Sequence, residues 1–428
     1  MNTPQARPRL SGTTRILLGL GLGAAVGLLL AWFDAGLATR AADIAQPVGK
    51  VWLNALQMTV VPLVLALVVV GVSAANDAAA SGRTARKAIA VFALLLAAGA
   101  AFVAIVAPLL LKLLPRDPAL IDRLRTAMPA AIANTSMPAF GDWIAGVIPS
   151  NALAAAAQSA MLPLVVFALF FGFALTRVEA ARRARMIEFF QTLADTMIVI
   201  VRWVLWAAPL GVFALVLAVC ARAGSSVISA LGWYIGLQCT MYLAITLLLY
   251  PIALVFGRER LSRFVPGIVP AQVVAASTQS SLASLPAMVD CARTRLAYPA
   301  AGVSLVLPMA VSLFRITSPM QYLGAATFVA WIYGVDVAPA QLAVATALAV
   351  VLSLGAVGLP GQVSFMTATL PVTMTMGLPI EPLGLLLAVD TIPDVFATVG
   401  NVTADMVALG IVVHTTDGEN APAAATTS

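Results

Sequence analysis

LAVDTIPDVFATVGNVTADMV, residues 387–407, is an apolar stretch that nevertheless carries three carboxylates and an amide. On an α-helix, which turns about 100° per residue, Asn401 and Asp405 each lie within about 20° of Asp394. Charged groups on one stripe of an apolar helix must face a protein interior or a wet cavity, because hydrocarbon does not solvate charge. The stretch therefore predicts a functional stripe inside a membrane-embedded helix.

The apolar segment that contains this stripe runs over residues 383–414. Asp390 and Thr398 lie about one helical turn before and after the central carboxylate. A simpler explanation of these polar residues is a helix end that reaches into water, and Pro393 allows a kink there. The apolar run MVALGIVV, residues 406–413, follows the last carboxylate and argues against such an exposed end.

The composition indicates a polytopic membrane protein. Of 428 residues, 61% are hydrophobic and 10% are charged, and the mean hydropathy is +0.99. The apolar runs are long and do not alternate, which favours a helical bundle over a β-barrel. The three cysteines lack metal-ligand spacing and the single histidine is His414, so neither zinc sites nor histidine-based catalysis are expected.

Six apolar segments are predicted to span the membrane before the pattern changes. They cover residues 16–33, 51–72, 89–114, 155–176, 197–221 and 227–256. The first has the composition of a signal peptide, but further spans follow it, so we interpret it as an uncleaved span.

Basic residues are concentrated after the even-numbered spans. They are Arg83, Arg86 and Lys87 after the second, Arg177, Arg182, Arg183 and Arg185 after the fourth, Arg258, Arg260 and Arg263 after the sixth, and Arg7, Arg9 and Arg15 at the amino terminus. By the positive-inside rule this alternation predicts a cytoplasmic amino terminus. The net charge of +6 thus has a topological explanation, and nucleic acid is not an expected partner.

After residue 264 the apolar segments are interrupted. AASTQSSLASLPAMVDCA (275–292) and GAVGLPGQVSFMTATLPVTM (355–374) each have a polar tip between two arms too short to span. Between them, the apolar residues 300–333 are broken by FRITSP (314–319). Irregular backbone at membrane depth persists only where it is buried in protein or lines a cavity. Such paired segments indicate a transporter's binding site, although Ser/Pro-rich segments also form ordinary loops.

The order of these features resembles the dicarboxylate/amino acid:cation symporters, the glutamate-transporter family, over nearly the whole chain. The matching motifs are SSLASLP (280–286), GLPG (358–361) and D-x3-D-x6-N-V-T-A-D (390–405), with NALAAAAQSAMLP (151–163) as a further likeness. Each motif is weak alone, but their order and spacing together are specific.

The resemblance implies an all-α polytopic membrane protein with eight transmembrane spans, two re-entrant helical hairpins and inverted repeats. It would work as an elevator-type homotrimer in the bacterial inner membrane, with both termini cytoplasmic. Residues 1–256 would form a six-span half, with spans 1, 2, 4 and 5 as the scaffold and spans 3 and 6 joining the moving unit. Residues 257–416 would supply hairpin 1, broken span 7, hairpin 2 and span 8, and we expect residues 417–428 to be a disordered tail.

The resemblance also assigns a site. Asp394 would bind a substrate amino group, with Thr398 and Asn401 contacting the rest of the substrate. Backbone groups at the two hairpin tips would receive its α-carboxylate, at Ser280, Ser281, Gly358, Pro360 and Gly361, as suits helix N-termini. Asn401, Asp405 and Asp390 would bind the coupling cation, with a sodium ion at Asn401 and Asp405 as one option.

The chain departs from the family at three places. Members that take acidic substrates have an arginine where this chain has Ala397, and its absence argues for a neutral amino acid or for a replacement cation elsewhere. The family's Asn-Met-Asp-Gly-Thr motif is replaced by residues 314–318. Oxygen-bearing residues of the third span are replaced by Val91, Leu95 and Leu96, which cannot ligate sodium.

Arg315 lies in the replaced motif, and a charge at mid-bilayer is functional by default. One hypothesis makes it a built-in cation that neutralises Asp405 or Asp390. Another makes it a substitute for the missing arginine, binding a substrate carboxylate. An arginine that reaches water from a helix end is the plainer alternative.

The favoured function is a secondary active symporter that imports a small carboxylate-bearing solute, an amino acid or a dicarboxylate. Either a proton or a sodium gradient would drive it, and no cofactor beyond Na⁺ or H⁺ is expected. An ion-independent exchanger or an anion channel on the same fold is the alternative, although no filter sequence is present. An enzyme is not expected, because no serine/histidine pair exists and the aspartates share one helix.

Overall fold

The computed structural model describes residues 12–80, 82–114, 146–355 and 361–420, and no β-strand occurs in these ranges. The predicted all-α class is therefore confirmed. The α-helices are α1 (Gly12–Phe33), α2 (Ala35–Ala80), α3 (Arg83–Leu113), α4 (Ala152–Ala157), α5 (Met161–Leu175), α6 (Ala180–Trp206), α7 (Ala208–Ala223), α8 (Ser226–Val255), α9 (Leu261–Thr278), α10 (Ser281–Asp290), α11 (Ala300–Leu313), α12 (Thr317–Tyr333), α13 (Pro339–Gly355), α14 (Gly361–Thr375), α15 (Leu383–Val389) and α16 (Thr391–Asn420), with a π-helical turn, Cys291–Arg295, after α10.

Seven helical segments in these ranges are long and apolar enough to cross a membrane, when α11 and α12 are counted as one. The helices α5, α7 and α13 are apolar but shorter. A bundle with this many apolar helices is a polytopic membrane protein, as the composition predicted.

Some predicted spans have different boundaries in the structure. The second, 51–72, is only the middle of α2, which is 46 residues long. The fourth, 155–176, is divided between α4 and α5. The fifth, 197–221, crosses the break at Ala207 between α6 and α7. Pro209 near the start of α7 explains this break, because proline cannot donate the backbone hydrogen bond that would continue α6.

The first helix packs closely on α7 through a row of glycines, Gly19, Gly23 and Gly27. A Cβ atom on Gly23 would lie 2.6 Å from the carbonyl oxygen of Phe213, and one on Gly27 would lie 2.8 Å from that of Leu217. Glycine at every fourth residue lets the two backbones approach, which is a common way for helices to associate in lipid.

Two helical hairpins occupy the second half of the chain. The first is α9 and α10, which pack against each other and are joined through Gln279 in a left-handed conformation with φ 50°. The second is α13 and α14, which also pack against each other. The predicted tip residues Gly358 and Pro360 lie outside the described residues, whereas Gly361 begins α14.

Two apolar segments are interrupted at polar residues, one of them at the predicted break and the other within a segment predicted to be continuous. Helix α11 ends at Leu313 and α12 begins at Thr317, so the break expected at residues 314–319 is present. Phe314 within it has extended backbone, with φ −134° and ψ 121°. The last segment is divided as well, with Asp390 between α15 and α16.

The end of α16 is held by a buried polar cluster. Tyr298 donates a 2.6 Å hydrogen bond to Oε1 of Glu259, and Nδ1 of His414 lies 3.6 Å from the same oxygen. Burial, and then the Glu259 carboxylate, raise the pKa of Tyr298, so its phenol remains a donor. Helix α16 continues to Asn420 and so includes the first residues of the segment that begins at residue 417. Residues 421–428 lie outside the described ranges.

We expect Gly23→Leu to lower the melting temperature of the detergent-solubilised protein, because the side chain would collide with the backbone of α7. Overpacking of this kind costs about 1–3 kcal/mol. Gly21→Leu is the matched control on the same helix, since a Cβ atom at Gly21 meets nothing within 4 Å. Equal melting temperatures for the two variants would contradict the proposed packing of α1 on α7.

Candidate substrate and cation site

The polar stripe lies along α16 and its first turn. Asn401 and Asp405 are buried, with 1% and 0% of their surfaces exposed, and Asp394 is partly buried. Thr398 is also buried, and its hydroxyl donates to the backbone oxygen of Asp394 on the same helix. The stripe faces the protein interior as predicted, rather than lipid or bulk water.

The broken helix meets this stripe directly. The backbone N–H of Thr317, at the start of α12, donates a 3.0 Å hydrogen bond to Oδ1 of Asn401. The Thr317 hydroxyl lies 3.3 Å from the backbone oxygen of Ala397. Asn401 therefore caps the N-terminus of α12 and satisfies a donor that the break leaves without an intrahelical partner.

The third predicted span packs on the other side of the break. The ring of Phe92 on α3 stacks on that of Phe314, with centroids 5.0 Å apart. Gly99 allows close approach, since a Cβ atom there would lie 2.9 Å from Cγ1 of Ile316. Leu95 and Leu96 are buried in the same apolar core, so this face of α3 presents carbon rather than oxygen.

The first hairpin tip lies against the start of α16. The side-chain amide of Gln279 donates to the backbone oxygen of Thr391 at 3.2 Å. Ser280 caps α10, because its hydroxyl accepts from the Ala283 backbone N–H. The hydroxyl of Ser281 is buried and has no hydrogen-bond partner. The structure thus brings Ser280 and Ser281 to the same end of α16 as Asp390 and Asp394.

Asp390 belongs to a hydrogen-bond network that the sequence analysis missed. Its Oδ1 accepts from the Tyr234 hydroxyl at 3.1 Å, and its Oδ2 accepts from the Gln321 amide at 2.6 Å. Gln238 donates both to the Tyr234 hydroxyl and to the backbone oxygen of Gln321. The spacing of Tyr234, Gln238 and Tyr242, four residues apart in an apolar span, was the available signal.

Asp405 has no such partners. Neither of its carboxylate oxygens makes a hydrogen bond, although the residue is fully buried. Arg315, in the break between α11 and α12, carries a positive charge that acts on both Asp405 and Asp394. Its Nε is buried without a hydrogen-bond partner as well. Unpartnered buried polar groups are rare and indicate a strained or functional position.

A family model matches nearly the whole chain. The model of the sodium:dicarboxylate symporter family matches residues 13–415. The chain belongs to this family. It is 27% identical over 407 residues to the proton/glutamate-aspartate symporter of Escherichia coli (strain K12), which covers 93% of this chain and 91% of that protein.

Two other relatives differ in the substrates or ions that their names give. The chain is 27% identical over 401 residues to the proton/sodium-glutamate symport protein of Bacillus caldotenax, covering 92% of both proteins. It is 28% identical over 441 residues to neutral amino acid transporter A of Homo sapiens, covering 93% of this chain and 80% of that protein. The predicted transporter class is confirmed, and this protein is a symporter rather than an enzyme.

We expect Asp390→Asn to lower the melting temperature of the symporter. Both partners of this carboxylate are donors, so an amide NH₂ would face one of them and leave a buried polar group unpaired. The expected cost is about 1–3 kcal/mol. Asp336→Asn, in an exposed connection, is the control for the loss of a carboxylate. A melting temperature for Asp390→Asn equal to that of the control would show that the network does not stabilise the fold.

Proposed function

We propose that this symporter imports an amino acid, coupled to an inward gradient of protons or sodium ions. The observation that carries the proposal is the position of Asp394, partly buried on α16 between the first hairpin tip and the broken helix. A carboxylate in such a place suits an ammonium group, because the pair neutralises charge in a medium of low dielectric constant. Thr398 and Asn401 follow Asp394 along the same stripe and would contact the rest of the substrate.

The α-carboxylate of the substrate is proposed to bind at helix N-termini. Ser280 and Ser281 begin α10, and Gly361 begins α14, the second arm of the other hairpin. Free backbone N–H groups and the helix dipole make such ends favourable for anions. The unpartnered hydroxyl of Ser281 supports a ligand at this tip.

A zwitterionic amino acid fits this site better than a dicarboxylate. Ala397, three residues after Asp394, is buried and small, and its backbone oxygen faces Thr317. It offers no cation to a side-chain carboxylate. The named substrates of the relatives include both glutamate and neutral amino acids, so the family accommodates either. An acidic substrate remains the second candidate, because Arg315 lies close enough to act on Asp394.

The membrane architecture proposed here is the one that the family resemblance implies. The protein would have eight spans, with α9/α10 and α13/α14 as re-entrant hairpins and elevator-like movement of the hairpin half. The proposed assembly is a homotrimer in the bacterial inner membrane, with both termini cytoplasmic. Support comes from the seven long apolar segments, the two packed hairpins and the basic clusters after alternate spans.

The test is uptake by proteoliposomes of labelled neutral amino acids, acidic amino acids and dicarboxylates. An inward sodium gradient alone and an inward proton gradient alone would be compared. We expect concentrative uptake of a neutral amino acid under at least one gradient. Uptake that only exchanges against internal substrate, or passive anion flux, would replace the proposal with an exchanger or a channel.

We also expect Asp394→Asn to reduce uptake by about 30-fold or more, since it removes the charge opposite the substrate ammonium. The matched control is Asp336→Asn, which removes an exposed carboxylate outside the site. Initial rates at several substrate concentrations would show whether the loss is in KM. Wild-type uptake by Asp394→Asn would rule out this residue as the ammonium partner.

A further inference from the structure

The description of the sodium:dicarboxylate symporter family implies a sodium site. The side chains around Asp405 show whether a sodium ion would fit there. Sodium needs several oxygen ligands, as hard cations do. The face of α3 next to the break presents Phe92, Leu95 and Leu96, which are buried in the apolar core. Oδ1 of Asn401 accepts a hydrogen bond from the backbone N–H of Thr317, which leaves it one further lone pair. Among these side chains, only Asp405 and that lone pair could ligate a sodium ion, which is too few for a hard cation.

A positive charge lies near this place, without a hydrogen bond to Asp405. Arg315 lies in the irregular backbone between α11 and α12, and its charge acts on Asp405 and on Asp394. A guanidinium stays protonated, so this charge is permanent. A second cation beside Asp405 would be repelled by it, and repulsion is strong where water is excluded.

When ionised, Asp405 requires a counter-charge, because the described residues around it supply no hydrogen-bond donor. It is fully buried and both oxygens lack hydrogen-bond donors. Asp390, in contrast, receives hydrogen bonds from Tyr234 and Gln321. An isolated carboxylate in such an environment is costly unless a positive charge compensates it.

We infer that Arg315 is a tethered cation that replaces a sodium ion beside Asp405, so that transport by this symporter does not require sodium. The inference rests on the proposed cation-coupled symport and deepens it. The Arg315 side chain fills the ionic position in every transport cycle, and the gradient that drives uptake is therefore not a sodium gradient. Arg315 acts here as a positioning charge and not as a ligand of the substrate.

The first experiment needs no substrate. The melting temperature of the purified protein in detergent is measured in sodium chloride and in N-methylglucamine chloride of equal ionic strength. A ligand that binds only the folded state raises the melting temperature. We expect no difference for the wild type, and a lower melting temperature for Arg315→Gln in both salts, because ionised Asp405 loses its counter-charge. Sodium-dependent stabilisation of the wild type would overturn the inference.

Charge compensation provides the second experiment. Arg315→Gln leaves Asp405 uncompensated, and uptake is expected to fall at least about tenfold in sodium-free medium. The double variant Arg315→Gln/Asp405→Asn removes both charges and is expected to be more stable than Arg315→Gln. Arg315→Lys keeps the charge and is expected to remain sodium-independent. Arg293→Gln, which removes an exposed arginine, is the control.

The outcomes separate this inference from the proposed function. Arg315→Gln could instead lose affinity for acidic substrates alone, with its ion dependence unchanged. That result would overturn the inference of a tethered cation and show that Arg315 binds a substrate carboxylate. If the effects of Arg315→Gln and Asp405→Asn on stability were additive in the double variant, the pairing of Arg315 with Asp405 would be overturned. Absence of any amino acid uptake by the wild type would refute the proposed function, whereas the sodium dependence of melting would still decide whether Arg315 takes the place of the ion.

Discussion

A carboxylate inside an apolar helix bundle must be compensated, and this constraint organises the second half of the chain. Asp390 is compensated by neutral donors from α8 and α12, through Tyr234 and Gln321. Asp405 has no such donors, and the nearby positive charge is that of Arg315. Two carboxylates of one stripe are therefore accommodated by different physical means. The break between α11 and α12 is what brings Arg315 to the second of them.

Broken backbone at this depth has its own requirement, since each interrupted turn leaves donors and acceptors that lipid cannot satisfy. Asn401 meets part of that requirement by accepting from Thr317. The backbone N–H groups of Phe314 and Ser318 donate to the backbone oxygens of Ala310 and Arg315. On the outside of the break, Phe92 stacks on Phe314 and Gly99 lets α3 approach Ile316. This face of α3 therefore covers the break with apolar side chains.

The polar stripe and the break were predictable because both follow from local patterns. The stripe of Asp394, Asn401 and Asp405 follows from helical periodicity, and FRITSP interrupts an apolar run. The partners of Asp390 were not predictable, since Tyr234 is 156 residues away and Gln321 is 69 residues away. Which polar residue of one span meets which residue of another depends on helix rotation and depth, and the sequence specifies neither. The division of the fifth span was not predicted either. Pro209 lies near the start of α7, but other prolines of this chain lie inside helices, so its position alone did not indicate a break.

The charge balance of the site links substrate and driving ion. If Asp390, Asp394 and Asp405 were all ionised, they would contribute three negative charges, against one positive charge from Arg315. A zwitterionic amino acid adds no net charge, because its ammonium and its carboxylate cancel. An imbalance therefore persists after substrate binds, and one or more further positive charges must accompany it. On the proposal that Arg315 already holds the position beside Asp405, those charges have to be small enough to reside on the carboxylates themselves. A proton binds one carboxylate oxygen without further ligands, whereas sodium needs several oxygens. On this proposal, proton coupling therefore follows from the same electrostatic requirement as the tethered arginine.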